Sequence, residues 1–402
     1  MTTTLTGLRT IDQLELSNQR VLVRIDLDCP LDGPADQEDL TQRVKATLPT
    51  LRHIAEKEGK VVAIAHRGRP KGRANSELGL EPMGAKLAEL TGWDVLLPDD
   101  CLGDAAKKAI QDLRSGQMVL LENLRFYAEE EAGDDGFAGK LAALGDVYVN
   151  DALAASNRPH TSVFQLPKLF RERALGFALK QELDALLRLV EPTERVAALL
   201  GGTRLADRAR LIDSLLIPGR TLCIGGALGS TLLAARGLRV GMSKIETSEL
   251  ARARTMLEQA RDRGVTVVLP QDVVVSESDS GKDGRVVSVA EIGERERIVD
   301  IGPETVQAFR SAVDRSSAAF WVGAMGAIGT DPIASGTFAL AQAVAGSATY
   351  SVALGQAAIN MSQKLDPTRL GSINHVSLGA GAALELLEGK KLPGIEVLRT
   401  AI

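Results

Sequence analysis

The residues best equipped for chemistry stand in one short run, Ala65-His66-Arg67-Gly68-Arg69-Pro70-Lys71-Gly72. An imidazole, two guanidiniums and an ammonium so close together can hold an anion, and guanidiniums match phosphate or carboxylate bidentately. Gly68 lets the backbone approach such a ligand closely. An ordinary basic loop is the competing reading, and the run by itself does not decide between them. Two carboxylates precede it at alternate positions, in Val21-Leu22-Val23-Arg24-Ile25-Asp26-Leu27-Asp28. Period two places Asp26 and Asp28 on one face of a strand, fit to bind a metal, orient hydroxyls and arginines, or pair with the basic run. Arg43 follows near the start of a helical pattern, where it adds to the positive end of the helix dipole.

These groups need elements to position them. The apolar run Val61-Val62-Ala63-Ile64 reads as a buried parallel strand, and open α/β sheets bind ligands at the carboxyl edge of such strands. Helical spacing covers residues 39–58 (Leu40, Val44, Leu48, Leu51, Ile54) and residues 80–91. Residues 94–98 read as a short strand, and 118–126 as a buried strand with Glu122, Asn123 and Arg125 at its end. Glu129-Glu130-Glu131 reads as a solvated charge run. Val147-Tyr148-Val149-Asn150-Asp151 repeats the strand pattern and leads to Asn157-Arg158-Pro159-His160. Five strands ending in polar groups and alternating with helices predict a doubly wound parallel sheet with a basic rim. Further on, residues 196–202 form a strand running into a glycine turn, with Arg204 and Arg208 at i and i+4 on one face of a helix start. Residues 221–226 repeat the strand and turn, and 279–284 read as a solvated turn.

With 402 residues the chain exceeds one ordinary core, so two domains are expected. A net charge of −5 argues against nucleic acid or a membrane surface as partner. Cys29, Cys101 and Cys223 form no CxxC pair and read as buried apolar residues of a reducing compartment. No secretory signal or membrane-length apolar run is apparent, so a cytoplasmic location is expected. His53, on a helix beside Arg52, reads as a surface or satisfied histidine, His160 and His375 have no cysteine or carboxylate at ligand spacing, and no metal-binding residue is assigned.

The motifs Arg24-Ile25-Asp26-Leu27-Asp28-Cys29-Pro30, His66 to Gly72, Leu121-Glu122-Asn123-Leu124-Arg125-Phe126 and Asn150-Asp151-Ala152 resemble those of phosphoglycerate kinases, in the same order. The resemblance continues through Gly201-Gly202-Thr203-Arg204, Leu269-Pro270-Gln271-Asp272, Asp300-Ile301-Gly302-Pro303, Trp321-Val322-Gly323-Ala324-Met325-Gly326, His375-Val376-Ser377-Leu378-Gly379 and residues 384–390. It implies an α/β fold of two Rossmann-like, doubly wound parallel-sheet domains joined by a hinge helix. The implied division is a substrate domain over residues 1–175, a hinge helix over 176–190, a nucleotide-type domain over 191–380, and a tail over 381–402 returning to the first domain. It also implies a monomer whose domains close across a cleft.

Asp26, Arg43, His66, Arg69, Arg125 and Arg158 match the family's triose-binding positions, and Asp28 and Arg67 stand among them. The resemblance implies that these guanidiniums hold the phosphate of a 3-phosphoglycerate-like ligand while one also meets its carboxylate. Gly202, Arg204, Arg208, Gly226, Gly323 and Gly355 match nucleotide-binding positions, with Arg43 and Arg204 as the implied catalytic pair. The departures are specific. Asp28 replaces Asn, adding a charge that disfavours an anionic ligand; Arg67 replaces Leu, with a charge expected to offset it; and Asn157 replaces His. Arg204 and Arg208 replace lysines, Ala227 a glycine, Val322 an Asn, Ala324 a Pro, and Gly329 a ribose-holding glutamate. Leu354-Gly355-Gln356-Ala357 replaces three glycines and a magnesium-binding Asp, placing side chains where nucleotide phosphates would approach a helix start, and Leu378 and Ala380 replace Thr and Gly. Mg–ATP or Mg–ADP is the only cofactor implied, and these departures count against it.

Three readings follow. The one favoured on sequence is a divergent homologue that binds a phospho-carboxylate, with ATP-dependent transfer weakened, lost or turned to acyl-phosphate chemistry without nucleotide. Its alternatives are a working kinase, a phosphotransferase with a carboxyl acceptor serving glycolysis, and a non-catalytic metabolite sensor or scaffold.

Overall fold

Runs rich in valine, leucine and alanine become strands buried on both faces, as parallel sheets require. The computed structural model describes residues 5–114, 116–190, 194–278, 284–326, 335–365 and 373–399, the side chains of 361–363 excepted. Gly329 and most of the 279–284 turn lie outside the described residues. The first sheet contains β1 (Arg20–Arg24), β2 (Lys60–Ile64), β3 (Asp94–Leu96), β4 (Gln117–Leu120), β5 (Val147–Asn150) and β6 (Arg173–Leu175). Their order is β3-β4-β2-β1-β5-β6, all parallel. The chain winds outward from β1 in one direction through β2, then crosses to β5 on the other side. The carboxyl ends of β1 and β5 therefore form the topological switch point, where open sheets place ligands.

The second sheet contains β7 (Val196–Leu200), β8 (Arg220–Ile224), β9 (Thr266–Val268), β13 (Ala318–Val322), β14 (Tyr350–Leu354) and β15 (His375–Ser377). Its order, β15-β14-β13-β7-β8-β9, is again all parallel and switches direction between β7 and β13. A small antiparallel sheet of β10 (Asp272–Ser276), β11 (Arg285–Ser288) and β12 (Arg297–Ile301) accompanies it, a feature the sequence reading did not anticipate. The fold class is thus the one expected, two six-stranded parallel α/β sheets.

In the first sheet Val21, Val23, Val61, Ala63 and Leu120 pack against Leu40, Val44, Leu51 and Ile54 of the helix Pro34–Glu56. In the second, Ala197, Leu199, Ala319, Trp321 and Ala353 pack against Phe309, Leu340 and Ala341. By its contacts the chain divides into two compact units, the described residues of 5–184 with 391–399, and those of 185–390. The division falls inside the helix Phe177–Val190. Among the described residues no helix is long and apolar enough to cross a membrane.

Several local expectations change. The helix expected from residue 39 starts at Pro34, where Asp36 accepts the N–H groups of Asp32 and Gly33. Arg43 therefore lies beyond the first turn, too far along for the helix dipole to govern it. The strand expected over 118–126 stops at Leu120, because Asn123 accepts the N–H of Arg125 and turns Leu124–Phe126 into a single 3-10 turn. β6 went unread because it is a short edge strand beginning with an arginine.

Candidate active site

The first cluster sits on the loops after β1, β2 and β4, with Arg158 after β5. The two carboxylates expected on one strand face part company, since β1 ends at Arg24 and both lie in the following loop. Asp26 pairs with Arg43. Arg43 also approaches Asp39 of its own helix at 3.2 Å. Burial works against the Arg43 charge, but Asp26 and Asp39 more than offset it and hold the guanidinium charged.

Asp28 faces the other way. Its Oδ1 accepts the Gly68 N–H at 2.8 Å, and its Oδ2 lies 3.2 Å from His66 Nε2. Gly68 adopts φ +64°, and a side chain there would drive into Leu78. Only glycine takes this turn without strain, which points its N–H at Asp28. Arg125 donates to the Gly68 carbonyl at 2.8 Å and approaches Glu131 at 3.5 Å. Burial would push the Asp28 carboxyl up, yet the His66 hydrogen bond, the Gly68 N–H and the Arg125 charge hold it below the usual carboxylate range.

His66 is fixed from behind by groups the sequence reading missed. Arg24 is buried; its Nη2 contacts His66 Nδ1 and its Nε donates to Ser162 Oγ at 3.2 Å. Ser162 in turn donates its hydroxyl and its N–H to Glu130. An arginine only donates, so Nδ1 must accept and the imidazole proton resides on Nε2, facing Asp28. Burial, reinforced by Arg24, keeps His66 neutral by lowering its pKa. Glu130 corrects the expectation of a solvated charge run: it is buried, with its pKa raised by burial and restrained by Arg24 and Ser162. The available signal was Arg24 itself, a charge inside an apolar strand, since such residues are almost never buried unpaired.

Arg67, read as a site residue whose charge would balance Asp28, is placed otherwise. It is buried, and its guanidinium donates to the carbonyls of Cys29 and Glu77 at 3.4 and 2.7 Å. Arg69 and Arg158, by contrast, are exposed and enter no ion pair among the described residues. His160 stands close enough to feel Arg125, Arg24 and Arg158; burial first, then these charges, lowers its pKa to about 4. The cluster as a whole offers cations to an anion while its own carboxylates are already paired.

The second cluster sits after β7, β8, β13 and β14. Gly201 N–H bonds the Val322 carbonyl at 2.8 Å, Gly202 N–H that of Ala324 at 2.9 Å, and Gly226 N–H that of Met325 at 2.8 Å. A Cβ on Gly323 would lie 2.4 Å from the Gly201 oxygen, so the turns interlock only as glycines. These glycines supply a close-packed floor at the switch point, with the amides of Gly201, Gly202 and Gly226 spent on the carbonyls of Val322, Ala324 and Met325. Arg204 and Arg208 do not share a helix face, because the helix begins only at Ala209. Glu246 instead captures the N–H groups of Leu205 and Ala206 and lies 3.3 Å from Arg204 Nε, holding residues 203–208 as a turn. Arg204 remains 61% exposed and also lies near Asp207. Arg208 is partly buried, and burial lowers its pKa.

The helix Gly355–Gln363 was expected to present side chains where phosphates would approach. Leu354 is buried instead, and Gln356 lies along its own helix, donating to Asn360 at 2.7 Å. Neither one covers the helix start. Among the described residues, however, no carboxylate stands there, and no group of His, Cys, Asp or Glu is arranged to hold a metal ion. Magnesium does not fit as a protein-held ion at this position.

Residues 11–390 match the family model for phosphoglycerate kinase. The chain belongs to the phosphoglycerate kinase family. It is 39% identical over 397 residues to a phosphoglycerate kinase of Anaeromyxobacter dehalogenans, covering 97% of this chain and 99% of that one. The solved phosphoglycerate kinase structure of Coxiella burnetii aligns with TM-score 0.85 at 29% identity, over 97% of this chain and 98% of the other. That of Pyrococcus horikoshii aligns with TM-score 0.80 at 25% identity, again over 97% and 98%. Phosphoglycerate kinase membership favours the working-kinase alternative over the divergent reading preferred on sequence.

Proposed function

We propose that the protein is a working phosphoglycerate kinase, transferring a phosphoryl group between ATP or ADP and 3-phosphoglycerate or its acyl phosphate. The observation that carries this is the whole-length match to the family together with the basic cluster around Gly68, which combines exposed Arg69 and Arg158 with held Arg43, His66 and Arg125. In this reading Arg69, Arg125 and Arg158 hold the phosphate, and Arg43, kept charged by Asp26 and Asp39, meets the carboxylate. Gly202, Gly226, Gly323 and Gly355 receive the nucleotide, while Arg204 and Arg208 supply positive charge to its phosphates. Phosphoryl transfer depends mainly on positioning and charge neutralisation, a task planar guanidiniums perform in place of ammoniums.

The carboxylate-free start of the helix Gly355–Gln363 favours a second reading, in which the ligand binds but transfer is slow. A coupled kinase assay, run beside thermal stabilisation by 3-phosphoglycerate and by Mg–ATP separately, distinguishes the two. Turnover with stabilisation by both ligands supports the kinase. Stabilisation by 3-phosphoglycerate alone, without turnover, overturns it in favour of the second reading.

A further inference from the structure

The basic cluster contains an anion of its own. Asp28 lies in the middle of it, with its side chain 38% exposed and its two oxygens on two separate donors. One donor is the Gly68 N–H, fixed by a turn only glycine takes without strain. The other is His66 Nε2–H, fixed because Arg24 behind the ring leaves Nδ1 no role but acceptor. Both donors sit at the carboxyl end of β2, beside the Arg125 guanidinium that bonds the Gly68 carbonyl. A preset N–H pair next to an arginine is a natural cradle for a phosphate or carboxylate oxygen.

We propose that Asp28 is a built-in counter-anion that occupies this donor pair and thereby limits the affinity of the site for its phosphorylated carboxylate. The proposal rests on the reading of this cluster as the phospho-carboxylate site. The chemistry is specific to a carboxylate. Asparagine has a single acceptor oxygen, so in its place one of the two donors must be released toward solvent. Asp28 therefore acts twice, by filling both donors and by adding a negative charge that repels the ligand across a partly shielded site. Arg67 forms no ion pair with Asp28 among the described residues, its guanidinium being bonded to the carbonyls of Cys29 and Glu77.

The test is Asp28→Asn, titrated calorimetrically with 3-phosphoglycerate and, separately, with inorganic phosphate, each at low and high salt. The expected result is binding of both probes about tenfold tighter than in the unaltered protein, a gain that shrinks with added salt. Unchanged or weaker binding overturns the proposal and makes Asp28 a positioning group for the ligand or the loop. If Asp28→Asn fails to fold by circular dichroism, Asp28→Ser carries the same expectation, because it too removes the charge and one acceptor. Turnover of the unaltered protein is measured alongside. Its absence would count against the kinase reading alone, because the inorganic phosphate titration asks only whether the donor pair is filled.

Discussion

Asp151 Oδ1 accepts the backbone N–H of Ala178 at 2.9 Å. The same oxygen takes the Leu179 N–H at 3.2 Å, and Oδ2 takes the Thr47 hydroxyl at 2.6 Å. A carboxylate at the end of β5 thus satisfies the first free donors of the helix Phe177–Val190, which leads out of the first unit. Asp151→Ala removes the cap and orphans Thr47, so a loss of about 2 kcal/mol is expected. Asp151→Asn keeps one acceptor and is expected to lose about half as much. Urea denaturation of the pair measures both.

Asp300 makes stability depend on pH. Its carboxyl accepts the N–H groups of Ile301 and Gly336, but burial dominates and pushes its pKa from 3.8 up to about 6. Between those values the native state holds a proton that the unfolded state has released. Unfolding free energy contributed by this group therefore falls as pH rises from about 4 to 6 and stays low above that. Asp300→Asn removes this group's share of the slope and leaves that of buried Asp151, whose pKa burial also raises to about 6. Relative to the unaltered protein, the variant is expected to be more stable at pH 7 than at pH 4, as read from denaturation midpoints at both values.

Arg24 and Glu130 form a buried unit through Ser162. Arg24→Met leaves Glu130 without its positive partner and is expected to cost about 3–5 kcal/mol. Adding Glu130→Gln should recover much of that loss, because the unpaired charge is gone. A double-mutant cycle in urea tests the coupling, and purely additive losses would refute it.

Gly323→Ala places a methyl 2.4 Å from the Gly201 carbonyl at φ +84°. Separation of the two turns is the only relief, so a loss of about 2 kcal/mol or more is expected. If the floor receives nucleotide, thermal stabilisation by Mg–ATP should fall with it while stabilisation by 3-phosphoglycerate persists.

On the kinase reading, Arg204→Ala is expected to lower kcat by about a hundredfold with a smaller change in KM. Arg204→Lys should restore most of the rate, since charge rather than the planar fork is then the requirement. A change confined to KM would assign Arg204 to binding only. Steady-state kinetics in both nucleotide and 3-phosphoglycerate decide the matter.

The sequence by itself determined what local pattern can encode. Apolar runs marked five strands of the first sheet and two of the second, 3.6-residue spacing marked the helices Pro34–Glu56 and Glu81–Thr91, and basic and glycine motifs stood out at strand ends. The whole-chain order of those motifs identified the family. Only the tertiary structure decided partners, because partners are separated by long stretches of chain that no local period spans. It turned Asp26 to Arg43 and Asp28 to His66 and Gly68, although the two carboxylates are neighbours in sequence. It buried Glu130 out of an acidic run to meet Ser162, and tied Arg67 to backbone carbonyls while leaving Arg69 exposed. It also laid Gln356 along its helix, away from the approach that the sequence suggested it would obstruct. The residue types at the basic loop were legible from the start. Which of them are free to meet an anion is set by the burial and hydrogen bonding of everything packed around them.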